Sequence, residues 1–418
     1  MSRIERIELF HVEIPLTEPF HPSWIPGYPQ TQNRMTLIRI TTDDGVVGVS
    51  AGAAFERERQ GLGSLLGPYL IGADATNLAE VRQRLTEASF LGWHNWWIEP
   101  ALWDIRGKLE GKPVYRLINP EIGKVERVSV YASTGSVLPI PARLAYLDRI
   151  RDMGITAVKL RVHSFDERED LAIVEAARRH LGGGYTIAVD ANQGWRVAVI
   201  DDAPLWDLDR ATRFARAVEP LEVAWLEEPL EMHDYAGLAQ LRKSTTTPIA
   251  GGELLSGWHD VRTAFEHGSF DIYQPDAVFC GGLETSRRVL AQCRIEGLSF
   301  SPHTWTNGIG FLVNLHAFAA HPERHVLEFP FEPPGWTPEA RDRILARPIQ
   351  VAPDGTIAVP QAPGLGIELD ERALARYGTR FFRMTKTSLA VHTIRTKGLR
   401  AALDLKRKKE RRAPVDAA

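Results

Sequence analysis

The chain has 418 residues, of which 44% are hydrophobic and 25% charged, with a formal net charge of -3. That composition is ordinary for a soluble globular protein, its length suggests two domains or a barrel with an accessory domain, and its charge gives no broad field for nucleic acid. Cys280 and Cys293 are too few for a disulfide framework or a thiolate-built metal site and fit a reducing cytoplasm, while no apolar run is long enough to span a bilayer.

Taken in chain order, Arg3–Ile14 and Met35–Thr42 read as strands, and Asp43-Asp44-Gly45 reads as a hairpin turn into Val46–Ser50. The N-terminal stretch alternates in polarity and lacks the apolar segment of a secretory signal, so a cytoplasmic location is expected. Helical patterns follow over Glu56–Leu70, Leu78–Ala88 and Trp96–Leu109, the last stopped by Gly111-Lys112-Pro113. Residues 1–124 are therefore expected to form an α+β domain. Within it, Phe20-His21-Pro22-Ser23-Trp24 and Gly27-Tyr28 form a loop of substrate-facing character, with His21 and Trp24 as candidates.

From about Val125 the pattern changes. Short apolar runs alternate with amphipathic helical stretches: Ser129–Ala132, Ala157–Arg161, Thr186–Asp190, Ala224–Glu227, Ile249–Gly251, Ile272–Gln274, Leu298–Ser301 and Val326–Glu328. Successive ends are spaced by about one βα unit, about 25 to 35 residues. Eight such strands over 125–350 predict a modified TIM barrel, (β/α)7β, capped by the first domain; spacing alone leaves a doubly wound sheet open. A Pro/Gly-rich segment, 351–384, is expected to return and pack on the capping domain. The tail, 385–418, carries Lys406-Arg407-Lys408-Lys409-Glu410-Arg411-Arg412 and reads as a solvated extension rather than a nucleic-acid or membrane-surface contact.

Core barrel strands should be apolar, yet nearly every one here ends in an ionisable residue: Lys159 and Arg161, Asp190, Glu227-Glu228, Glu253, Asp276, His303 and Glu328. One such charge reads as a solvated loop residue; a series of them reads as one mouth, where barrel active sites lie. Lys159 and Arg161 are two apart and share a face with Ala157, whereas Val158 and Leu160 point to the helices. Asp190, Glu227 and Glu253 follow consecutive strands and form an oxygen-only set suited to one Mg²⁺, or Mn²⁺, per site. Pleating lets one of Glu227 and Glu228 face the mouth, and Glu227 is chosen. Asn192 is placed to reach metal or substrate, and Trp305 is a rim candidate. Asp276 beside His303 would fix the imidazole tautomer and raise its basicity, as a general base requires.

These residues carry a resemblance. Lys159-Leu160-Arg161, Asp190-Ala191-Asn192, Trp225-Leu226-Glu227-Glu228-Pro229, Gly251-Gly252-Glu253, Gln274-Pro275-Asp276, Ser301-Pro302-His303 and Leu327-Glu328 resemble the enolase superfamily, mandelate racemase subgroup, over about Arg3 to Phe382. The segment from Ala101 to Lys108 resembles the capping-domain helix of that family. The resemblance implies that Asp190, Glu227 and Glu253 bind Mg²⁺, that His303 and Asp276 form a base dyad, and that Glu328 is hydrogen-bonded to the substrate carboxylate. It also implies a homo-oligomer. The subgroup often has Lys-x-Lys on the second strand; here the second position is Arg161.

A hydrogen α to a carboxylate is too weakly acidic for histidine alone, since each unit of pK mismatch costs about 1.4 kcal/mol. A metal on the carboxylate, Lys159 beside it and a protonated Glu328 would stabilise the enediolate. Arginine keeps its proton, so Arg161 is a poor second base and one-base chemistry is favoured. The expected reaction is dehydration of an acid sugar to a 2-keto-3-deoxy acid. Cycloisomerisation of a sugar-acid lactone and racemisation of a 2-hydroxy acid are the alternatives within this chemistry, and an inactive binding barrel the alternative outside it.

Overall fold

The protein is described by a computed structural model covering residues 2–92, 94–198, 200–323 and 325–411. Three antiparallel strands open the chain: β1 (Ile4–Phe20), β2 (Gln30–Thr42) and β3 (Val47–Ala53). The turn between β2 and β3 closes as expected, with Gly45 at φ 85. Helices α1 (Leu62–Leu70), α2 (Leu78–Ser89), α3 (Glu99–Glu110) and α4 (Val114–Ile118) follow. α2 is capped by Asn77, whose side chain accepts from the Glu80 N–H at 3.1 Å. α3 stops at Gly111, which takes the left-handed φ of 65 that a C-terminal cap needs. Alternate residues of the strands, Ile7, Leu9, Ile38 and Ile40, are buried in one cluster with Leu66, Val81, Leu85 and Leu102 of the helices. α3 crosses β3 so closely that a Cβ on Gly48 would strike the Ala101 carbonyl.

The barrel strands are β4 (Arg127–Ser133), β5 (Ala157–Arg161), β6 (Thr186–Asp190), β7 (Leu226–Glu227), β8 (Ile249–Gly251), β9 (Ile272–Tyr273), β10 (Ser299–Phe300) and β11 (Leu327–Pro330). Between them lie α5 (Ile140–Asp152), α6 (Glu167–Leu181), α7 (Leu208–Ala217), α8 (Tyr235–Ser244), α9 (Trp258–His267), α10 (Gly282–Glu296) and α11 (Gly308–Ala319). Neighbouring strands pair in parallel from β4 to β10, and β11 returns to pair with β4. Ser301 Oγ donates to the Val326 carbonyl at 3.2 Å, joining the ends of the path. Eight strands and seven helices among the described residues make a (β/α)7β barrel capped by an α+β unit.

Strand alternation separates the two faces as read from the sequence. Val158 and Leu160 lie in the large core beneath the helices. Ala157 lies inside the barrel with Tyr131, Ala188, Trp225 and Ala250. Register then builds the site: Arg161 is paired with Asp190 and Asp190 with Glu227, so three ionisable residues stand level on three adjacent strands.

After the barrel come α12 (Pro338–Arg341), β12 (Thr356–Ala358), α13 (Glu371–Tyr377), β13 (Gly378–Thr385) and α14 (Lys386–Arg411). β12 pairs antiparallel with β4 of the barrel. Gly364 accepts from the Val114 N–H at 2.9 Å, and the Leu365 N–H donates to Asp104 Oδ1 at 2.8 Å. β13 pairs with β1, giving the sheet order β13-β1-β2-β3. The tail expected to be a solvated extension is helical as far as Arg411; its last residues, 412–418, lie outside the described residues.

Candidate active site

The ionisable residues of the strand ends meet at the C-terminal mouth. Lys159 is fully buried, and its Nζ lies 3.3 Å from Asp190 Oδ2, 2.8 Å from Glu328 Oε1 and in short contact with Glu227. The Lys159–Glu328 approach is a charge contact rather than a well-directed hydrogen bond. Burial alone would lower the Lys159 pKa, but Glu227 and Glu328 outweigh it and hold the ammonium well above its usual range. Arg161 donates from Nε to the Thr134 carbonyl at 2.6 Å and from Nη1 to Asp190 and to Asn192 Oδ1, the latter at 3.2 Å. Its guanidinium lies 5.1 Å from the Trp24 ring centre and 5.9 Å from that of Trp305. Against the effect of burial, Asp190 and Glu227 keep it charged.

His303 follows β10. Its Nδ1 is 2.9 Å from Asp276 Oδ2, and its Nε2 is 3.4 Å from Glu253. Asp276 is fixed by Asn314 Nδ2 at 3.0 Å and the Val278 N–H at 2.8 Å, so its second oxygen has no freedom to turn away. Burial would lower the His303 pKa, but Glu253, Glu328 and Asp276 raise it to about 10. The Glu227 carboxylate accepts from Trp225 Nε1 at 3.0 Å and Gln274 Nε2 at 2.7 Å. Glu228 takes a left-handed φ of 46, which turns its side chain back against Gly194.

Glu328 accepts from the Thr304 N–H at 2.6 Å, and, against the effect of burial, Lys159 and His303 bring its pKa down to about 2. His21 departs from expectation. β1 runs on to Phe20, whose ring is buried, and alternation throws His21 outward; it is exposed and does not line the cavity. Trp24, Asn192 and Trp305 do line it.

A cavity of about 400 Å³ stands over these groups, with Arg161, Glu253 and His303 in its wall. The capping unit supplies Trp24 and one face of β2, where Gln30, Gln32 and Arg34 alternate. That polar row is absent from the sequence reading, because residues 30–34 are polar throughout and show no apolar alternation. Ser23 Oγ donates to Asn192 Oδ1 at 2.7 Å, fastening the capping loop to the end of β6.

Among the described residues no three His, Cys, Asp or Glu side chains converge as a finished cation cage, because the oxygens of Asp190, Glu227 and Glu253 are turned to Lys159, Arg161 and His303. The donor set itself fits a hard divalent ion: three buried carboxylates on consecutive strands with no nitrogen or sulfur among them. Burial and mutual repulsion push Glu227 up to about 7 despite Lys159, and raise Glu253 despite His303. A divalent cation relieves that strain.

Residues 6–119 match the family described as Mandelate racemase / muconate lactonizing enzyme, N-terminal domain, and residues 143–373 the family Enolase C-terminal domain-like. The chain is 28% identical over 399 residues to a 3,6-anhydro-alpha-L-galactonate cycloisomerase of Streptomyces coelicolor, covering 89% of this chain and 99% of that one. It is 28% identical over 390 residues to an L-talarate/galactarate dehydratase of Salmonella typhimurium, covering 89% and 90%. The structure of L-talarate dehydratase from Polaromonas sp. JS666, complexed with Mg and L-glucarate, superposes with a TM-score of 0.76 at 26% identity, covering 92% of this chain and all of that one.

Proposed function

The chain belongs to the mandelate racemase / muconate lactonizing enzyme family, and on that premise we propose that it is a magnesium-dependent acid-sugar dehydratase, a lyase, acting in the cytoplasm. The relatives are named dehydratases and cycloisomerases, and the solved neighbour holds Mg and L-glucarate. Asp190, Glu227 and Glu253 would hold the ion. When bound, Mg²⁺ supplies Lewis-acid neutralisation of the substrate carboxylate.

The chain's own residues do the rest. With Glu253 given over to the ion, the charge that chiefly holds His303 protonated would be offset, and its Nε2 would take the α-proton while Asp276 holds Nδ1 and offsets the imidazolium charge. Lys159 adds positive charge where the enediolate develops. The imidazolium then returns its proton to the departing β-hydroxyl, so water leaves and the enol becomes a 2-keto-3-deoxy acid. Trp24, Trp305 and Asn192 bound the space for the rest of the substrate.

The observation that carries this reading is Arg161. A lysine there would be a second base. An arginine bonded to the Thr134 carbonyl and Asp190 stays charged, which leaves His303 as the base. The test is a screen of aldonates, aldarates and their lactones with Mg²⁺, scoring 2-keto products, followed by turnover in D₂O. Dehydration without loss of configuration in recovered substrate is expected. Rapid deuterium exchange with scrambling at the α-carbon would mean a racemase, and turnover of lactones alone a cycloisomerase.

A further inference from the structure

Helix α14 is the largest feature the proposed reaction leaves unused. Relatives matched over 99–100% of their own length cover only 89–92% of this chain, and the family matches end at residue 373. The helix leaves the edge of the capping sheet directly after β13 and is anchored at its start by Leu389, which packs on the capping core. Beyond that anchor it has little to rest on: every residue from Ile394 to Arg400 is exposed, as are Val391 and Leu403. Gly398, at φ 82, breaks it into two arms.

A helix in this state is poorly supported by its own chain, because short helices draw most of their stability from packing an apolar face. The charge indicates what would cover it. Residues 386–418 hold ten of the chain's 50 lysines and arginines but three of its 53 acids, a net of +7 in a chain that totals -3. The remainder therefore carries -10. We propose that α14 docks on the acidic body of a second copy of this chain, with Val391, Ile394, Leu399 and Leu403 buried by the contact and its cations facing carboxylates. The arm thus makes an assembly contact from outside the residues that the family models match.

The test compares the full chain with one ended after Thr385, which keeps β13, and with the full-length triple variant Arg395→Glu/Lys397→Glu/Arg400→Glu, whose changed residues are all exposed. Mass is measured by light scattering on a sizing column at low and high salt. The full chain should form an assembly at least twofold heavier than either variant, and salt should shift it toward the lighter form. Equal masses for all three would overturn the proposal. So would tail-dependent sedimentation with phosphatidylserine vesicles, or retention of duplex DNA, at unchanged protein mass.

Discussion

Replacing Glu332 by glutamine removes one charge of a buried pair and strands the other. Glu332 Oε2 accepts from the N–H groups of Gly135 at 2.8 Å and Ser136 at 3.0 Å, and Arg143 donates to both carboxylate oxygens at 3.1 Å. Arg143 is only 2% exposed and spends another N–H on the Ser136 carbonyl at 2.6 Å. A glutamine in the same rotamer turns an NH₂ toward donors and leaves the guanidinium without a counter-charge. Breaking a buried pair in this way costs about 3–5 kcal/mol, a large share of the about 5–15 kcal/mol that holds a typical fold. The assay is urea unfolding followed by tryptophan fluorescence; Trp336 exchanges both backbone hydrogen bonds with residue 332 and reports on the locus. Arg143→Met should cost a similar amount, and the double variant should fall short of the sum by about 1–3 kcal/mol. A loss below about 1 kcal/mol for Glu332→Gln, or strict additivity, would refute the reasoning. Activity should fall as well, since this loop offers the Thr134 carbonyl to Arg161 and Ser133 Oγ to Trp305 Nε1 at 2.8 Å.

His303→Asn should abolish turnover while Mn²⁺ binding, read by electron spin resonance, persists; retained turnover would remove His303 as the base. Magnesium at about 100 times its Kd should stabilise the protein by about 2.7 kcal/mol in thermal or urea unfolding, and Asp190→Asn/Glu227→Gln should lose that gain; an equal gain in the variant would place the ion elsewhere. Burial, opposed by Arg82, pushes Glu99 up to about 7, above its ordinary 4.5. Folding therefore favours its protonated form, so the contribution is full below about pH 4.5 and declines as pH rises through about 7, by on the order of 3 kcal/mol. Glu99→Gln should flatten that part of the stability–pH profile, and an unchanged slope would count against it.

Much of the barrel was legible because nearly every strand end broke an apolar run with a charge. β5, β6 and β8 fall on the bounds read from the sequence, and the row from Arg161 to Glu227 follows from alternation plus parallel register. The capping half was less so. Reading β2 from Met35 omits Gln30–Arg34, because a strand that projects over a polar cavity shows no apolar alternation there. The Arg143–Glu332 pair joins residues 189 positions apart and has no local signature. The Lys159–Glu328 contact joins two different strands, which single-strand reasoning does not supply.

The order β13-β1-β2-β3 carries a consequence for biosynthesis. β1 borders, along one edge, a partner translated after the whole barrel. Until that partner arrives, the nascent capping sheet presents an open edge at β1, whose unpaired backbone groups can template stray strand pairing. A message cut short before codon 378 would yield a barrel under an unfinished cap, prone to proteolysis.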